Sequence, residues 1–406
     1  MNFKINRKRL YDACRKVIKA AAPESMSNLV PETGGILFEA DSTKETLRLY
    51  CTDMKVSIML ILKDVDVAVS GKAVVSASLL TAILGNYEIP GHEDIEITID
   101  SSMMKLRCNK ARSAIHTLSV EDFPRINLNF PETTICVSGL SQIAKHAARV
   151  AEETEANPAF DGVKVNFTAA KTTALATDTK RFIKTAGEQI ADGDLEVLIP
   201  KRALNLVCSI TRATDELFVG TTHNQVVFMT SEFVLTARML TANNHNVEAL
   251  IKNVKPVYKA VVDAKQFCEA IDVSFSAIND RDPCVNMTLK EDHLHVFVRN
   301  GDSECDIEVA AEKCKPMNGE VFYYRPVFIY DFLRGCTGQV KVEFTDRGLL
   351  KLSNNLTDYI ISPRNEPKIK EQKPVKEPKV KAEPKAKKAS TKKTKKEDTP
   401  ADDEAA

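Results

Sequence analysis

The stretch Ala176-Thr177-Asp178-Thr179-Lys180 has a counterpart earlier in the chain, Cys51-Thr52-Asp53-Met54-Lys55, with the same Thr, Asp and Lys at the same spacing. Outward from both stretches one order of patterns recurs: an amphipathic helix, alternating strands, a second helix and further strands. The order occurs a third time, with a period of roughly 120 residues. Because no catalytic signature accompanies this repeat, the pattern favours a function that depends on shape.

Each repeat is predicted to contain two helices. In the first helix of the chain, Leu10, Cys14 and Val17 share one apolar stripe and charged residues lie opposite. Ser76 is a candidate N-cap for the second helix, and proline at position 326 suits the first turn of another. The predicted helices cover residues 7–21, 76–84, 140–151, 201–212, 264–278 and a segment that follows Arg325-Pro326.

Length and composition predict three globular domains and a tail. The chain has 406 residues, of which 43 % are hydrophobic and 28 % charged, as in ordinary globular proteins. Polar connections without periodicity place the domains at residues 1–128, 129–248 and 249–365. Residues 366–406 hold 13 Lys and 9 acidic residues with few apolar ones, which predicts disorder. The lack of a membrane-length apolar run or a signal-like start predicts a cytoplasmic protein.

The usual signatures of enzymes and metal sites are missing. The ten cysteines are scattered singly, so we expect reduced, buried thiols. His293 and His295 would share one face of a strand, but no further ligands complete a metal set. The sequence lacks both a GxSxG elbow and a phosphate-binding glycine loop. We therefore predict a noncatalytic protein without a cofactor, and a cysteine-dependent hydrolase remains as an alternative that requires a Cys and a His in one cleft.

Basic residues recur on corresponding helices of the repeats. Lysine and arginine on such faces bind phosphates without reading sequence, so they predict affinity for duplex DNA of any sequence. The candidate DNA-binding residues are Lys8, Arg15, Lys19, Lys145, Arg149, Lys201 and Arg202, with Arg212 on the same helix as the last two.

At this point the sequence resembles the bacterial DNA polymerase III beta subunit, the sliding clamp family, over residues 1–365. The resemblance rests on the three repeats and on phrases in the right order. These are Asp122-Phe123-Pro124, Ala176-Thr177-Asp178-Thr179-Lys180-Arg181-Phe182, Ile199-Pro200-Lys201-Arg202 and Tyr359-Ile360-Ile361-Ser362-Pro363.

The resemblance implies an α+β fold of three tandem clamp domains, with helices on one face and antiparallel sheets on the other. It further implies a head-to-tail homodimer whose ring encircles duplex DNA and gives the replicative polymerase its processivity. The dimer contact would join the first domain near residues 107–118 to the third near residues 273–278. A heterologous contact that closes makes a ring instead of a fibre.

A hydrophobic cleft between the second and third domains is the second implication of the resemblance. In the family it receives short peptides of DNA polymerases and of the clamp loader. The positions that correspond here are Phe160, Thr177, Thr179, Arg181, Phe182, Leu250, Ile360, Ser362 and Pro363.

The sequence also departs from the family. Residues 25–28 read Ser-Met-Ser-Asn where an arginine is usual, and residues 244–247 read Asn-His-Asn-Val in place of a Phe-Pro-Asp/Asn-Tyr phrase. The Lys-rich tail is atypical, and we hypothesise that it touches DNA or a cleft ligand. A phage-type or decoy clamp, or a scaffold that binds DNA without encircling it, is the alternative function.

Overall fold

The computed structural model describes residues 1–86, 94–100, 102–151, 160–188, 190–240, 247–276, 283–300 and 303–365, without the side chains of Val247, Leu250 and Asn300. Residues Met1–Pro367 form one compact unit. The three domain boundaries predicted inside it, at residues 128, 248 and 365, stay a prediction. The predicted disorder of the tail lies outside the described residues.

The first repeat contains nine strands and three α-helices among its described residues. In chain order they are β1 (Asn2–Asn6), α1 (Arg7–Val17), α2 (Glu24–Ser27), β2 (Gly35–Asp41), β3 (Thr46–Thr52), β4 (Val56–Leu62), β5 (Asp66–Val69), β6 (Gly71–Ser76), α3 (Ala77–Asn86), β7 (Asp94–Ile99), β8 (Met103–Cys108) and β9 (Ala111–Leu118). Short 3-10 helices cover Ile18–Ala20 and Pro31–Gly34.

The second repeat has the same plan. Its elements are β10 (Ile135–Val137), α4 (Leu140–Val150), β11 (Gly162–Phe167), β12 (Lys171–Thr177), β13 (Arg181–Glu188), β14 (Leu195–Pro200), α5 (Lys201–Ile210), β15 (Leu217–Thr221), β16 (Gln225–Met229) and β17 (Phe233–Arg238). Helix α6 (Val247–Asn253) follows it.

The third repeat completes the series. Its elements are β18 (Tyr258–Asp263), α7 (Ala264–Ser276), β19 (Val285–Leu289), β20 (His293–Asn300), β21 (Ser303–Lys315), β22 (Phe322–Tyr324), α8 (Pro326–Leu333), β23 (Gln339–Phe344), β24 (Leu350–Ser353) and β25 (Thr357–Ile361).

Strand pairing follows one rule in all three repeats. The strand before the first long helix pairs with the strand after the second, as in β1–β7, β10–β15 and β18–β23. The strand after the first long helix pairs with the strand before the second, as in β2–β6, β11–β14 and β19–β22. All of these pairs are antiparallel, so the predicted α+β class and threefold order of elements are confirmed.

Neighbouring repeats are joined by strands. β4 pairs with β17 across the first joint, and β13 pairs with β25 across the second. These joints extend the antiparallel sheets to 13 and 12 strands. In both joints, the third strand after the first long helix of one repeat meets the last strand of the next repeat.

The helices form where the sequence places an apolar stripe over a sheet. The side chain of Asn6 accepts a hydrogen bond from the backbone N–H of Arg9 at 3.0 Å and caps α1. Leu10, Cys14 and Val17 of the predicted stripe are fully buried. They belong to one core that runs through the three repeats.

Two expectations from the sequence need correction. The connection predicted as irregular at residues 242–258 contains helix α6, because Ile251 is buried against Ile360 of β25 and fixes the segment on the sheet. All ten cysteines are outside disulfides, but only Cys14, Cys51, Cys108 and Cys208 are buried. The other six lie at partly exposed positions of edge strands, helix surfaces and loops.

Candidate nucleic-acid and docking surfaces

The two matching sequence stretches form the same tight turn. In the first, Oδ1 of Asp53 accepts hydrogen bonds from the backbone N–H groups of Lys55 at 2.9 Å and Val56 at 2.7 Å. Asp178 makes the corresponding two bonds in the second turn at 3.0 and 2.6 Å. The shared aspartate therefore fixes the hairpin that leads into β4 or β13.

A left-handed residue completes each turn. Met54 has φ 70° and Thr179 has φ 71°, a region that costs energy for residues other than glycine. The hydroxyls of Thr52 and Thr177 accept hydrogen bonds from these two residues at 2.9 and 3.0 Å. The threonine of the repeated phrase thus offsets part of the strain.

Arg202, at the start of α5, holds the first turn against the second repeat. Its Nε lies 2.7 Å from Oδ2 of Asp53, whose side chain is only 5 % exposed. Its Nη2 donates a hydrogen bond to the carbonyl of Ala21 at 2.7 Å. Nearby, Nζ of Lys19 donates to the carbonyl of Ser209 at 3.2 Å. Two predicted DNA-binding cations therefore link the first and second repeats.

At the second joint the turn aspartate is paired by Arg181, from a different position in the repeat than Arg202. It is buried, with Nε 2.7 Å from Asp178 and Nη1 2.7 Å from Asp331 of α8. The guanidinium also lies 4.2 Å from the ring centre of Phe328. Burial lowers the pKa of Arg181, but the interactions with Tyr359 and Asp178 raise it by more, so the pKa lies above its ordinary value. This predicted cleft residue is held by the protein itself.

Arg149 binds the end of α8. Its Nη1 donates hydrogen bonds to the carbonyls of Asp331 at 3.1 Å and Arg334 at 2.9 Å. A cation at these last carbonyls stabilises a helix C-terminus. Burial and the charge of Arg149 both lower the pKa of the nearby His146. The first long helix of the second repeat thus contacts the second long helix of the third.

The remaining basic residues differ in how available they are. Nζ of Lys201 donates to the carbonyl of Ala151 at 2.7 Å. Burial and the charges of Arg15 and Lys16 lower the pKa of Lys19, which indicates concentrated positive potential at the end of α1. Three cations are exposed and have no ion pair within the described part of the chain: Lys8, Arg15 and Lys145.

The predicted cleft residues converge at the second joint. Ser362 donates its backbone N–H to the carbonyl of Lys180 at 2.9 Å, which brings the chain around Pro363 beside the turn at Thr179. Phe182 and Ile360 are opposite each other in the β13–β25 pair. Phe160 and Thr177 are buried nearby in the same repeat. The side chain of Leu250 lies outside the described residues, as do Asn244, His245 and Asn246.

Sequence reasoning missed Ile251, Leu175, Val254 and Leu349, which build this surface together with the predicted Phe182 and Ile360. Ile251 of α6 and Ile360 are 5 % and 2 % exposed and form a small apolar cluster apart from the main core. Oε1 of Glu248 in α6 lies 2.6 Å from Nζ of Lys184 in β13 and 3.2 Å from Nζ of Lys252. The partly buried members of the cluster are Leu175, Phe182, Val254 and Leu349. The i, i+3 spacing of Ile251 and Val254 was the sequence pattern that could have indicated these apolar contacts.

Besides the strands at the ends of the sheets, β9 and β21 each have an edge that lacks a partner strand over most of its length within the described residues. In β9, residues 111–116 pair only with β8, and in β21, residues 303–310 pair only with β20. β9 and its neighbour β8 carry Lys105, Arg107 and Arg112 on their exposed face. β21 carries Glu304, Asp306 and Glu308. One edge is therefore basic and the other is acidic.

The two histidines considered as metal ligands lie beside the acidic edge. Nε2 of His295 is 2.7 Å from Oδ1 of Asp306. Nδ1 of His293 is 2.7 Å from Asp292, and its Nε2 is 3.5 Å from Glu308. Within the described ranges of the chain, no set of three or more His, Cys, Asp or Glu residues is arranged to hold a metal ion.

The comparisons with known proteins agree with one another. Residues 1–128 match the family model of the DNA polymerase III beta subunit, N-terminal domain. The structure superposes on the DNA polymerase sliding clamp of Bacillus subtilis with a TM-score of 0.78 at 19 % identity, covering 90 % of this chain and 99 % of that one. The chain has the fold of the bacterial sliding clamp. The resemblance to the DNA polymerase III beta subunit is thus confirmed.

Further relatives agree with the sliding clamp fold. The DNA polymerase III beta subunit of Pseudomonas aeruginosa has a TM-score of 0.78 at 18 % identity, over 90 % of this chain and all of that one (100 %). The beta sliding clamp of Streptomyces coelicolor is 25 % identical over 154 residues. This sequence match spans 37 % of the chain and 39 % of that relative. Among the described residues, no helix combines the length and apolar character needed to cross a bilayer.

Proposed function

We propose that this chain is a sliding clamp that encircles duplex DNA in the cytoplasm and gives a replicative DNA polymerase its processivity. The observation that carries the proposal is the rule that joins the repeats. Two joints use it inside the chain, and the strands that a third joint of this kind needs, β21 and β9, each have an edge that is unpaired over most of its length within the described residues. A second copy, placed head to tail, supplies the missing partner at both ends.

The helices support the same pairing. At each internal joint, the first long helix of one repeat, or the turn that continues it, meets the second long helix of the next: Lys19, just past α1, bonds to Ser209 of α5, and α4 contacts α8. By this rule α7 meets α3 of the other copy. Val273 of α7 is 51 % exposed and Leu79 of α3 is 49 % exposed, so the contact removes apolar surface from water. Val273 also lies in the segment that the sequence assigned to this contact.

DNA is held weakly and without regard to sequence. Lys8, Arg15 and Lys145 reach phosphates, whereas Arg149 and Arg202 bond across the joints and Lys201 bonds to the carbonyl of Ala151 within its own repeat. Residence on the template is then set by closure of the ring and not by contact strength. This distribution suits a protein that slides.

Peptides of polymerases and of the clamp loader dock at the second joint. The apolar cluster around Ile251 and Ile360, with Phe182 half-buried at its rim, offers an anchor site. Thr179 and Ser362 at the neighbouring turn provide polar groups beside it. The clamp acts as a platform here, and it is a noncatalytic accessory subunit.

Retention on circular and linear DNA tests the proposal. Protein loaded on nicked circles is retained in high salt, and it is lost when a restriction enzyme linearises the circle, because a threaded ring slides off free ends. Sedimentation should give about twice the chain mass of 45.0 kDa. Equal retention on both DNA forms indicates a non-encircling scaffold. Binding of peptides without retention on any DNA indicates a decoy clamp.

A further inference from the structure

The hairpins at the joints close in one way. In each hairpin, two residues three positions apart bond across the turn and close it. The first strand of each joint begins at the second residue of this closing pair, which is 53/56 for β4, 178/181 for β13 and 300/303 for β21. The second strand does the same, with pairs 230/233 in β17, 354/357 in β25 and 108/111 in β9. Val56, Arg181 and Ser303 are therefore equivalent positions, and so are Phe233, Thr357 and Ala111.

Both internal joints use one register. Val56 lies opposite Ala237, and Arg181 lies opposite Ile361. In each case the partner is four residues past the closing position, Phe233 or Thr357. This agreement fixes how a third joint aligns.

Applied to the free edges, this register pairs Ser303 of one copy with Ile115 of the other. Antiparallel counting then sets Asp306 directly opposite Arg112. Both side chains are on the solvent-exposed face of their strands, so they point to the same side of the new pair. The register was derived without reference to charge, yet it brings an acid to a base.

Arg112 needs such a partner. It lies directly opposite Arg107 in the β8–β9 pair, and like charges in this position are unfavourable. Arg107 has Glu96 at 3.8 Å. No carboxylate pairs with Arg112 within the described part of the chain. An acid from a second copy would balance the two arginines.

Asp306 already has a neighbour within its own chain. Its side chain is 59 % exposed, and Oδ1 is the atom that lies 2.7 Å from Nε2 of His295. The second carboxylate oxygen has no bond to His295. The charged and polar groups around His295 are His293 on its own strand β20, Thr288 and Asn286 on β19, Asp306 and Glu308 on β21, and Lys290, Glu291, Asp292 and Asn318 at the adjacent loops.

We propose that Asp306 is a shared acceptor at the seam between two copies of this chain, bound by His295 of its own copy and by Arg112 of the partner subunit. The proposal rests on the proposed head-to-tail dimer and specifies its register. The imidazole of His295 contacts one carboxylate oxygen of Asp306 and leaves the other oxygen available to the guanidinium.

The charge pair is tested by the dissociation constant of the full-length dimer, measured by sedimentation at pH 7.5. Arg112→Asp and Asp306→Arg should each weaken the dimer about tenfold or more, and the double variant should recover most of the loss. Lys341→Asp, an exposed strand cation away from both edges, is the matched control. Single variants no weaker than this control, or a double variant without recovery, would overturn the proposed register.

The role of His295 is tested by the same measurement at pH 7.5. His295→Ala removes the imidazole that contacts Asp306 and should weaken the dimer several-fold, and His295→Gln, which keeps a side-chain donor, should recover most of the loss. A dimer of His295→Ala as tight as the wild type contradicts the shared acceptor. A wild-type chain that is monomeric would instead reject the proposed dimer itself.

Discussion

Arg202 and Asp53 form an ion pair across the first joint, with 2.7 Å between Nε and Oδ2. The partners come from different repeats, 149 positions apart in the sequence. Removing one member of a buried pair leaves the other charge without compensation. This joint is therefore sensitive to single substitutions.

Arg202→Ala should lower the free energy of unfolding by about 3 kcal/mol. The reason is that Asp53 stays almost fully buried and loses its charged partner. Denaturant unfolding measures the change, with Arg212→Ala, an exposed cation just past α5, as control. Equal stability of the two variants would contradict the structural role of Arg202.

Replacing Lys8, Arg15 and Lys145 together with alanine should weaken DNA binding uniformly across sequences. The slope of log affinity against log salt should fall by about 0.9 for each lost phosphate contact. Fluorescence anisotropy over a salt series measures it, with Lys341→Ala as control. An unchanged slope would place the DNA contacts elsewhere.

Phe182→Ala should reduce the affinity of a polymerase-derived peptide by about 1 to 3 kcal/mol, because an aromatic anchor at the rim of the apolar cluster is lost. Calorimetry with the intact protein measures the binding. Phe218→Ala, a 40 % exposed phenylalanine on β15, is the matched control. If both variants bind the peptide equally well, the cleft lies elsewhere.

Acid should destabilise the second joint through His146. Burial and Arg149 lower the pKa of this histidine in the folded chain below its ordinary value of 6.5. The unfolded chain therefore takes up the proton first, so the free energy of unfolding falls as pH drops below about 6.5. His146→Gln should flatten this part of the pH profile in thermal unfolding. A profile that is the same in both proteins would assign the acid sensitivity to other groups.

The buried thiols should resist alkylation. Burial raises the pKa of Cys51 to about 12 and that of Cys208 to about 11, and the thiolate is the reactive form. Iodoacetamide at pH 8 should leave both unmodified in the folded protein and modify both after denaturation, as read by mass spectrometry. Rapid modification in the folded state, with loss of a hydrolytic activity, would support the cysteine enzyme.

Sequence patterns predicted most helices because those helices have one apolar face. The stripe of Leu10, Cys14 and Val17 is buried as expected, and α4 covers nearly the predicted residues. The phrase containing Thr177 and Asp178 was recognised because turn chemistry is local and is written in adjacent residues.

Long-range relations were not visible in the sequence. Nothing local indicates that Arg202 pairs with Asp53, or that Arg149 binds the carbonyl of Arg334, because these contacts depend on the relative position of two repeats. Basic residues on helices therefore all appeared to be DNA ligands. Helix α6 was missed since its stability comes from packing on Ile360 instead of from its own periodicity.

The opposite charges of the β9 and β21 edges have a consequence for newly made chains. The unpaired N–H and C=O groups of an exposed strand edge can bond to the edge of another chain, and this pairing leads to aggregation. Two β21 edges repel each other through Glu304 and Asp306, and two β9 edges repel through Arg112, with Arg107 on the neighbouring strand β8. In unassembled copies, edges of the same kind are thereby kept from pairing, and each edge favours the oppositely charged edge that it meets in the proposed dimer.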